Sequence, residues 1–432
     1  MSPSGKLARR GVSGPVDPRP PGLLASVEPE DEVRWHEVFA MSAAHPDPGA
    51  PTLRLSRRSL VTAAGALVVL GSGCTDRSAS EEVLPDFLGT PAAAVVGGEP
   101  GRWAGRTLRV SAFGGQVEDA LRSLVWEPFA GHTGCTIESV LGSFWTSATP
   151  IPAGVSAALA GAPAADLVLA DPISAAAAST NGELATLPSD VASLGQIGRL
   201  GGSFAVPAFA YALVNARRRD AFPEAMTPAS WADWWDGRRF PGGRSLGRGP
   251  TGTLEVALLA DGVPAAELYP LALPRALAAL DRIVSAIGKR WWTRGLEPVG
   301  WLGNGHADLA SAWHHRVVAG QWDGLAVDLT WRDALLVVDQ WVVPAATQEP
   351  EVAADLIKFA STPERQAALA RETRLGPVVS DALRWIEPWL LPTIPTAPPH
   401  GERLVPLDPA WWASNRATAQ AEFDRWFNSA AM

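Results

Sequence analysis

One stretch, residues 107–129, constrains the fold of this chain more than any other. In TLRVSAFGGQVEDALRSLVWEPF, apolar residues occupy alternate positions from Leu108 to Ala112, which is the pattern of a β-strand. After Gly114 and Gly115, apolar residues recur at helical spacing from Val117 onward. A strand, a glycine turn and a helix form the opening βα unit of an α/β domain. The turn places backbone N–H groups where open α/β sheets bind ligands.

Composition limits the partners of the chain. Its 432 residues suffice for two domains with substantial cores. The net charge of −9 argues against a nucleic-acid surface, because a phosphate-binding face needs clustered Lys and Arg. An acidic protein favours a cationic ligand over an anionic one. The two cysteines, Cys74 and Cys135, provide no disulfide framework.

The N-terminal region predicts export. Residues 1–50 are rich in Pro, Ser, Gly and charge, so we expect a disordered or untranslated extension, with Met41 as an alternative start. Residues 51–74 join Arg57-Arg58 to a short apolar core and a small-residue end at Cys74, which resembles a twin-arginine export signal ending in a lipobox. We expect Cys74 to be lipidated, with plain cleavage or retention as alternatives. Residues 75–101 are predicted to form a flexible tether.

Strands and helices alternate from residue 102 onward. Short apolar runs predict strands over residues 166–172, 204–215 and 335–343, while Ser230 begins a helix as its N-cap and residues 351–359 form another. This alternation predicts an α/β fold with mostly parallel sheets in two lobes.

Two glycine motifs suggest enzymes. Residues 247–252 match G-x-G-x-x-G, but the dinucleotide fingerprint needs an apolar strand directly before it, which residues 240–244 do not predict. Residues 243–247 match G-x-S-x-G, but a nucleophile elbow needs strand, sharp turn and helix, whereas glycine and proline follow Ser245. We interpret the segment as a glycine-rich loop. Without a Cys/His or Ser/His constellation, we predict that the protein is not an enzyme.

The histidines and Cys135 give no clear chemistry. His306, His314 and His315 lack a metal-ligand spacing, and adjacent histidines point to different faces, so we predict neither a metal nor a cofactor. Cys135 lies beside a predicted second strand. We expect it to be a small buried hydrophobe, because no basic partner is nearby to activate a thiolate.

Aromatic residues and acids at predicted element ends are the remaining candidates, because aromatic faces and carboxylates together hold ammonium groups. They are Phe113, Trp145, Trp313, Trp331, Asp171, Glu255 and Asp339. Each has an alternative interpretation. Glu255 fits a helix dipole, Asp171 a turn, and the two tryptophans a core. Asp339 interrupts an apolar run, so a buried acid there needs a partner.

Several segments, in the same order, resemble the extracellular solute-binding proteins of ABC importers, of the spermidine/putrescine-binding type. The resemblance runs from about Thr107 to Phe427. TPASWADWWDGRRFPGGRSL is similar to the family's P-x-S-W-x-D-L-W-D-x-x-x-F-P-G-x-R segment, and SAWHHR to its W-N-G-R turn. VVDQWVVP resembles its D-x-W-x-V-P strand and LGPVVSDA its G-P-x-N-x-x-A turn.

The resemblance implies a two-lobed periplasmic-binding-protein fold of type II topology. Lobe 1 would comprise residues 102–210 and 338–383, and lobe 2 residues 211–337 and 384–432, with crossings near 211–215, 334–338 and Arg384. The ligand would lie between the lobes, which close on it like a hinge. The ligand-binding residues implied are Phe113, Gly114, Gly115, Gln116, Asp171, Tyr211, Glu255, Trp313, Trp331 and Asp339.

These features predict a receptor that captures a small cationic or zwitterionic solute, polyamine-like or amino-acid-like, and delivers it to a membrane permease. We expect a monomer, either on the outer face of the cell membrane as a lipoprotein or in the periplasm. Gly252 stands where polyamine binders place a second acid, which leaves both ligand types open. An enzyme on the same fold, a transferase or hydrolase, and a sensory or scaffolding lipoprotein are the alternatives.

Overall fold

The strands of the folded region join in one mixed sheet. The computed structural model describes residues 100–112, 114–141, 165–200, 202–223 and 226–430. The predictions for residues 1–50, for the export segment with Cys74, for nearly all of the tether, and for Phe113 and Trp145 lie outside these residues.

The sheet is parallel at both ends and antiparallel in the middle. Its strands are β1 (Thr107–Ala112), β2 (Thr136–Leu141), β3 (Leu167–Ala170), β4 (Ala205–Arg218), β5 (Arg244–Gly247), β6 (Trp291–Trp292), β7 (Leu309–Trp313), β8 (Val327–Val342) and β9 (Val405–Pro406). They lie in the order β2-β1-β3-β8-β4-β7-β5-β6, and β9 pairs with β8. The long strands β4 and β8 pair antiparallel, as do β3 with β8 and β4 with β7.

The prediction of mostly parallel sheets is therefore wrong for the centre of the sheet. Residues 205–210 and 212–216 of β4 are buried, so the strand shows a continuous apolar run. Such a run predicts burial on both faces but carries no information about strand direction.

Helices connect the strands along the chain and pack against the sheet. The α-helices are α1 (Gly115–Leu121), α2 (Glu127–Thr133), α3 (Pro172–Thr180), α4 (Ser189–Ala192), α5 (Trp231–Trp235), α6 (Thr253–Ala260), α7 (Leu273–Asp281), α8 (Val284–Ile287), α9 (Glu297–Gly303), α10 (His314–Trp322), α11 (Pro350–Ala360), α12 (Pro363–Thr373) and α13 (Pro409–Ala430). A π-helical segment, Arg122–Trp126, joins α1 to α2. The α/β class predicted from the sequence is confirmed.

The opening βα unit is confirmed as a strand, a glycine turn and a helix. Strand β1 leads into Gly114 and Gly115, whose φ angles of 70° and 62° place them in the left-handed region that glycine tolerates. Helix α1 begins at Gly115, two residues before the helical spacing predicted from Val117 onward. Cys135 lies directly before β2 and is buried, and burial raises the pKa of its thiol. The prediction of a small buried hydrophobe is confirmed for Cys135.

The interpretation of the glycine-rich segment as a loop is wrong for residues 244–247, whereas residues 248–252 do form bends and a turn. Arg244–Gly247 forms the buried strand β5, and a turn leads from it to α6. The Arg244 side chain can be buried because it donates hydrogen bonds to the backbone carbonyls of Trp234, Phe240 and Gly242. A hydropathy pattern counts arginine as a polar residue, so it does not predict that Arg244 lies in a buried strand. Ser245 lies within the strand rather than at a sharp turn, so the arrangement is not a nucleophile elbow.

Two large hydrophobic cores lie within the compact unit formed by residues 82–432. One draws on residues 103–209 and 341–375, and the other on residues 213–335 and 405–427 together with Ile173. Strand β4 contributes Phe209 to the first and Leu213 to the second, and β8 likewise contributes Trp341 and Leu335. Both strands thus run from one core to the other, while the lobe boundaries stay a prediction.

Candidate ligand-binding site

Strand register brings two predicted acids together. Strand β3 pairs antiparallel with β8 through Ala170 opposite Gln340. One step further along the same register, Asp171 follows β3 and faces Asp339 on β8. The two carboxyl groups interact electrostatically. Residues 168 positions apart thus meet because of an antiparallel pairing that the sequence did not reveal.

The same register adds two aromatic residues. Tyr211 on β4 lies opposite Val337 on β8, and is therefore a diagonal neighbour of Asp339. Trp313, at the end of β7, lies opposite Leu213 of β4 and so is a diagonal neighbour of Tyr211. The sheet thus lines up Asp171, Asp339, Tyr211 and Trp313 across four adjacent strands.

Asp339 is a buried acid with a single hydrogen-bond donor among the described residues. Asp339 is only 2% exposed to solvent. The Tyr211 hydroxyl donates a hydrogen bond of 3.1 Å to Asp339 Oδ1. Burial raises the pKa of Asp339 well above its ordinary value, and the neighbouring Asp171 raises it further. No lysine or arginine of the described chain forms an ion pair with it. A buried carboxylate without a cation is costly.

Asp171 caps the helix that follows it. Its Oδ1 accepts hydrogen bonds from the backbone N–H groups of Ile173 at 3.0 Å and Ser174 at 2.9 Å. Pro172 occupies the first turn of α3, where its missing N–H costs nothing. Burial raises the pKa of Asp171. The residue is thus held rigidly by the helix start and presents a second acid to the neighbourhood of Asp339.

A series of aromatic rings begins at Asp339 with Tyr211. The Tyr211 and Trp313 rings meet edge to face, with centroids 5.1 Å apart, and Trp313 meets Trp292 in the same way at 6.1 Å. A Cβ on Gly295 would lie 2.9 Å from Trp313 Cδ1, so only glycine leaves room for that indole. Burial and the charges of Asp339 and Asp171 raise the pKa of Tyr211. The phenol therefore stays protonated and remains a donor to Asp339.

His314 is a fixed, neutral structural group. Its Nδ1 accepts the Ala212 backbone N–H at 3.0 Å, and its Nε2 lies 2.9 Å from the Arg374 carbonyl, to which it donates in that tautomer. Burial lowers the pKa of His314 to about 4. His315 packs 6.4 Å from the Tyr211 ring, and burial lowers its pKa well below the ordinary value. The described residues contain no group of three or more His, Cys, Asp or Glu that could hold a metal.

Arg316 is a candidate that sequence reasoning missed. It is partly buried in the first turn of α10, where the positive end of the helix dipole disfavours a cation. Burial lowers the pKa of its guanidinium, which has neither a hydrogen bond nor an ion pair with any described residue. A cation in such a place suits an anionic group from a ligand. The signal was present in the sequence, because Arg316 is the last residue of SAWHHR and matches the arginine of the W-N-G-R turn.

Glu255 is fully buried, but its carboxylate is satisfied. It accepts hydrogen bonds from the Gly252 N–H at 2.8 Å, the Tyr269 hydroxyl at 2.7 Å and the Trp412 indole N–H at 2.6 Å. Gly252 has a φ of 80°, and a Cβ there would lie 2.8 Å from Leu213. A side chain at position 252 is therefore disfavoured, whatever the ligand. The alternative that Glu255 supports the helix start accounts for these contacts.

The glycine turn after β1 has an internal partner too. The Gly114 N–H donates to Glu118 Oε2 at 2.9 Å, and Glu118 also accepts from Arg122 and Ser139. Gly115 and Gln116 are exposed. The ligand contacts predicted for Gly114, Gly115 and Gln116 stay predictions.

Trp331 is linked to Tyr211 through the rings of His314 and His315. Its ring stacks on His400 with a centroid distance of 4.7 Å and lies 5.4 Å from the His314 ring. It lines a separate pocket, which does not include the acid pair. The structure thus brings together Asp171, Asp339, Tyr211 and Trp313, while the ligand contact predicted for Trp331 stays a prediction.

Comparison with known proteins gives a consistent result. Residues 127–396 match the family described as bacterial extracellular solute-binding protein. A gamma-aminobutyric acid-binding protein of Pseudomonas aeruginosa is 34% identical over 212 residues, which cover 48% of this chain and 60% of that protein. The match thus spans less than two thirds of that relative.

Two solved structures are similar to this chain over about three quarters of its length. A GABA receptor is 29% identical with a TM-score of 0.65, covering 74% of this chain and 97% of its own. The binding protein AgtB of A. tumefaciens R10, in complex with agropinic acid, is 25% identical with a TM-score of 0.62, covering 75% and 99%. These neighbours confirm the two-lobed periplasmic-binding-protein fold of type II topology.

Membership of this family implies export from the cytoplasm. Among the described residues, no helix combines the length and the hydrophobicity needed to cross a membrane. The family match covers more than half of the chain. The chain belongs to the bacterial extracellular solute-binding proteins.

Proposed function

We propose that this protein captures a small zwitterionic, amino-acid-like solute and delivers it to an ABC permease. The observation that carries the proposal is the buried acid pair Asp339 and Asp171, which lacks a cation among the described residues. An ammonium group bound there would offset one of the two negative charges, the role that an internal Lys or Arg would otherwise fill.

The ligand's ammonium group would lie against Asp339 and Asp171, with the rings of Tyr211 and Trp313 beside it. Cation–π attraction and charge-assisted hydrogen bonds both strengthen in a desolvated site. The opposite end of the ligand would carry a carboxylate bound by Arg316, whose planar guanidinium suits a bidentate contact. GABA, which the relatives are named for, has these two charges at its ends.

A polyamine-like diamine is the second candidate ligand. The resemblance to spermidine/putrescine-binding proteins and the presence of two adjacent acids favour it. Against it, a long diamine needs an acid at its far end, and Glu255 already accepts three hydrogen bonds. Arg316 would also repel a second ammonium group. We therefore place the zwitterion first.

We further propose that the protein acts as a monomeric lipoprotein, anchored through Cys74, and carries no catalytic activity. Its relatives are transport receptors rather than enzymes, which supports this role. Mass spectrometry of the mature protein would test the anchor. We expect an N-terminal cysteine with a diacylglycerol mass, and an unmodified N-terminus elsewhere would contradict this part.

A matched set of ligands tests the proposed site. Calorimetric titration would compare GABA with butyrate, which lacks the ammonium group, with butylamine, which lacks the carboxylate, and with putrescine. We expect each singly charged analogue to bind at least about 100-fold more weakly than GABA, because each leaves a buried charge unpaired. Tighter binding of putrescine would favour the diamine. Absence of binding by GABA, α-amino acids and putrescine alike would contradict the proposal.

A further inference from the structure

A second pocket lies where β8 leaves its regular pairing with β4. The ladder passes from Leu213 opposite Leu335 to Asn215 opposite Thr330, so residues 331–334 bulge out of the sheet. Within the bulge, Asp333 has a φ of 53°, an uncommon conformation for a residue other than glycine. The bulge turns the side chains of residues 329–333 towards the segment 399–403.

The pocket between these two segments is large enough for a small molecule. Its volume is about 690 Å³, within the range of small-molecule sites. It is lined by Leu329, Thr330, Trp331, Arg332, Asp333, Pro399, His400 and Arg403. Neither the acid pair nor Tyr211 and Trp313 belong to it. Its apolar lining is confined to Leu329, Pro399 and the Trp331 ring, and the rest is polar.

Positive charge dominates the pocket. Arg332 and Arg403 contribute two guanidinium groups against one carboxylate, Asp333, which lies 3.8 Å from Arg332 in an exposed and therefore weak pair. Arg403 forms no ion pair with any side chain that the structure describes. Burial lowers the pKa of His400, and the charge of Arg403 lowers it further. The charged groups of the pocket are therefore mainly basic, whereas those of the acid pair are acidic.

The floor of the pocket is held in place before any ligand arrives. Trp331 stacks on His400 at an interplanar angle of 25° and packs against His314. His314 is in turn fixed by its bonds to the backbone of Ala212 and Arg374. A rigid aromatic floor below two adaptable arginines lowers the ordering cost of binding.

We propose that this pocket is a second binding site, which takes a small oxyanion, a carboxylate or a phosphate, between Arg332 and Arg403. An apolar part of the ligand would lie over Leu329 and Pro399. The site goes beyond the proposed capture of a zwitterion, because its charge, its residues and its place in the fold are different.

Two probes distinguish the two kinds of oxyanion: inorganic phosphate represents a phosphate ligand, and benzoate represents a carboxylate ligand with an apolar body. Calorimetry on the full chain, without GABA, would compare wild type with Arg403→Gln, Arg332→Gln and the double variant. Both arginines are exposed, so these variants should fold normally. We expect each single change to lower affinity for the bound probe about tenfold, because a charge-assisted contact is lost. The control is Arg384→Gln, an exposed arginine that pairs with Asp381 elsewhere, and it should bind as wild type does.

The outcomes separate this site from the zwitterion site. Asp339→Asn should leave the binding of phosphate or benzoate unchanged, even if GABA never binds to the wild type. Phosphate binding alone would identify a phosphate-type ligand, and benzoate binding a carboxylate with an apolar body. The proposal is overturned if neither probe binds up to about 10 mM, or if the double variant binds as tightly as wild type.

Discussion

Asp339 and Glu255 are equally buried acids in very different surroundings. Asp339 is 2% exposed and receives one hydrogen bond, from the Tyr211 hydroxyl, within the described chain. Glu255 is fully buried and receives three, from Gly252, Tyr269 and Trp412. Burial raises the pKa of both, but Asp339 has the additional repulsion of Asp171.

The difference teaches that burial alone does not identify a ligand-binding acid. In the sequence, both residues were candidate acids for a cationic ligand. Hydrogen bonds satisfy the carboxylate of Glu255 and leave that of Asp339 with lone pairs unfilled. We therefore propose that Glu255 fastens the start of α6 to α13 and that Asp339 awaits a charged partner from outside the chain.

Asp339→Asn should have the largest effect on ligand binding. Removing one partner of a buried charge pair costs about 2–5 kcal/mol, so GABA affinity should fall by at least about 30-fold. The unliganded protein should become more stable, because an amide removes the repulsion by Asp171. Calorimetry and thermal unfolding would measure both, with the exposed Asp381→Asn as control. A loss of affinity together with a loss of stability would indicate a structural role instead.

Glu255→Gln should show the opposite pattern. The amide nitrogen cannot accept a hydrogen bond, so one of the three buried donors loses its partner at a cost of about 1–3 kcal/mol in the free energy of unfolding. GABA affinity should change little. Denaturant unfolding would provide the free energy. A loss of affinity as large as that of Asp339→Asn, in a folded protein, would restore Glu255 as a ligand contact.

Tyr211 and Tyr269 each donate a hydrogen bond to one of the two acids, and removing either hydroxyl should have a smaller effect than changing the acid itself. Tyr269→Phe removes a hydroxyl bond to Glu255 and should cost about 1 kcal/mol of stability without altering affinity. Tyr211→Phe removes the donor to Asp339 and should lower GABA affinity several-fold instead. Denaturant unfolding and calorimetry on both variants would check this. Equal effects of the two changes on stability and on affinity would erase the distinction.

The pH dependence of stability tests the same comparison without any ligand. Because the folded-state pKa of Asp339 is raised, the folded protein binds a proton that the unfolded chain has lost, so this residue's contribution to stability falls as pH rises above about 4. The stability advantage of Asp339→Asn over wild type should therefore grow with pH up to the raised pKa. Denaturant unfolding between about pH 4 and pH 7 would measure it. A difference independent of pH would show that Asp339 is not destabilised by ionisation.

Local patterns in the sequence predicted local structure well. The opening βα unit and the N-cap at Ser230, which accepts a hydrogen bond from the Asp233 N–H, are confirmed because they depend on neighbouring residues. What failed depended on distant ones. The central antiparallel pairing and the strand at residues 244–247 are set by partners far along the chain.

The candidate site was predictable by residue type but not by its internal geometry. Family-like segments indicated Asp171, Asp339, Tyr211 and Trp313, yet only the register across four strands places them side by side. The donors that bind the Glu255 carboxylate lie up to 157 residues away along the chain. The sequence therefore could not predict that this carboxylate has hydrogen-bond partners within the protein. Arg316 was overlooked because its significance lies in its partial burial at a helix start.

One calorimetric experiment tests the central claim most directly: titration of GABA into wild type, Asp339→Asn and Glu255→Gln under identical conditions. The account predicts saturable binding by wild type, near-normal binding by Glu255→Gln, and binding by Asp339→Asn that is at least about 30-fold weaker. Binding by Asp339→Asn that equals wild type would contradict the assignment of the buried acid pair as the ammonium site.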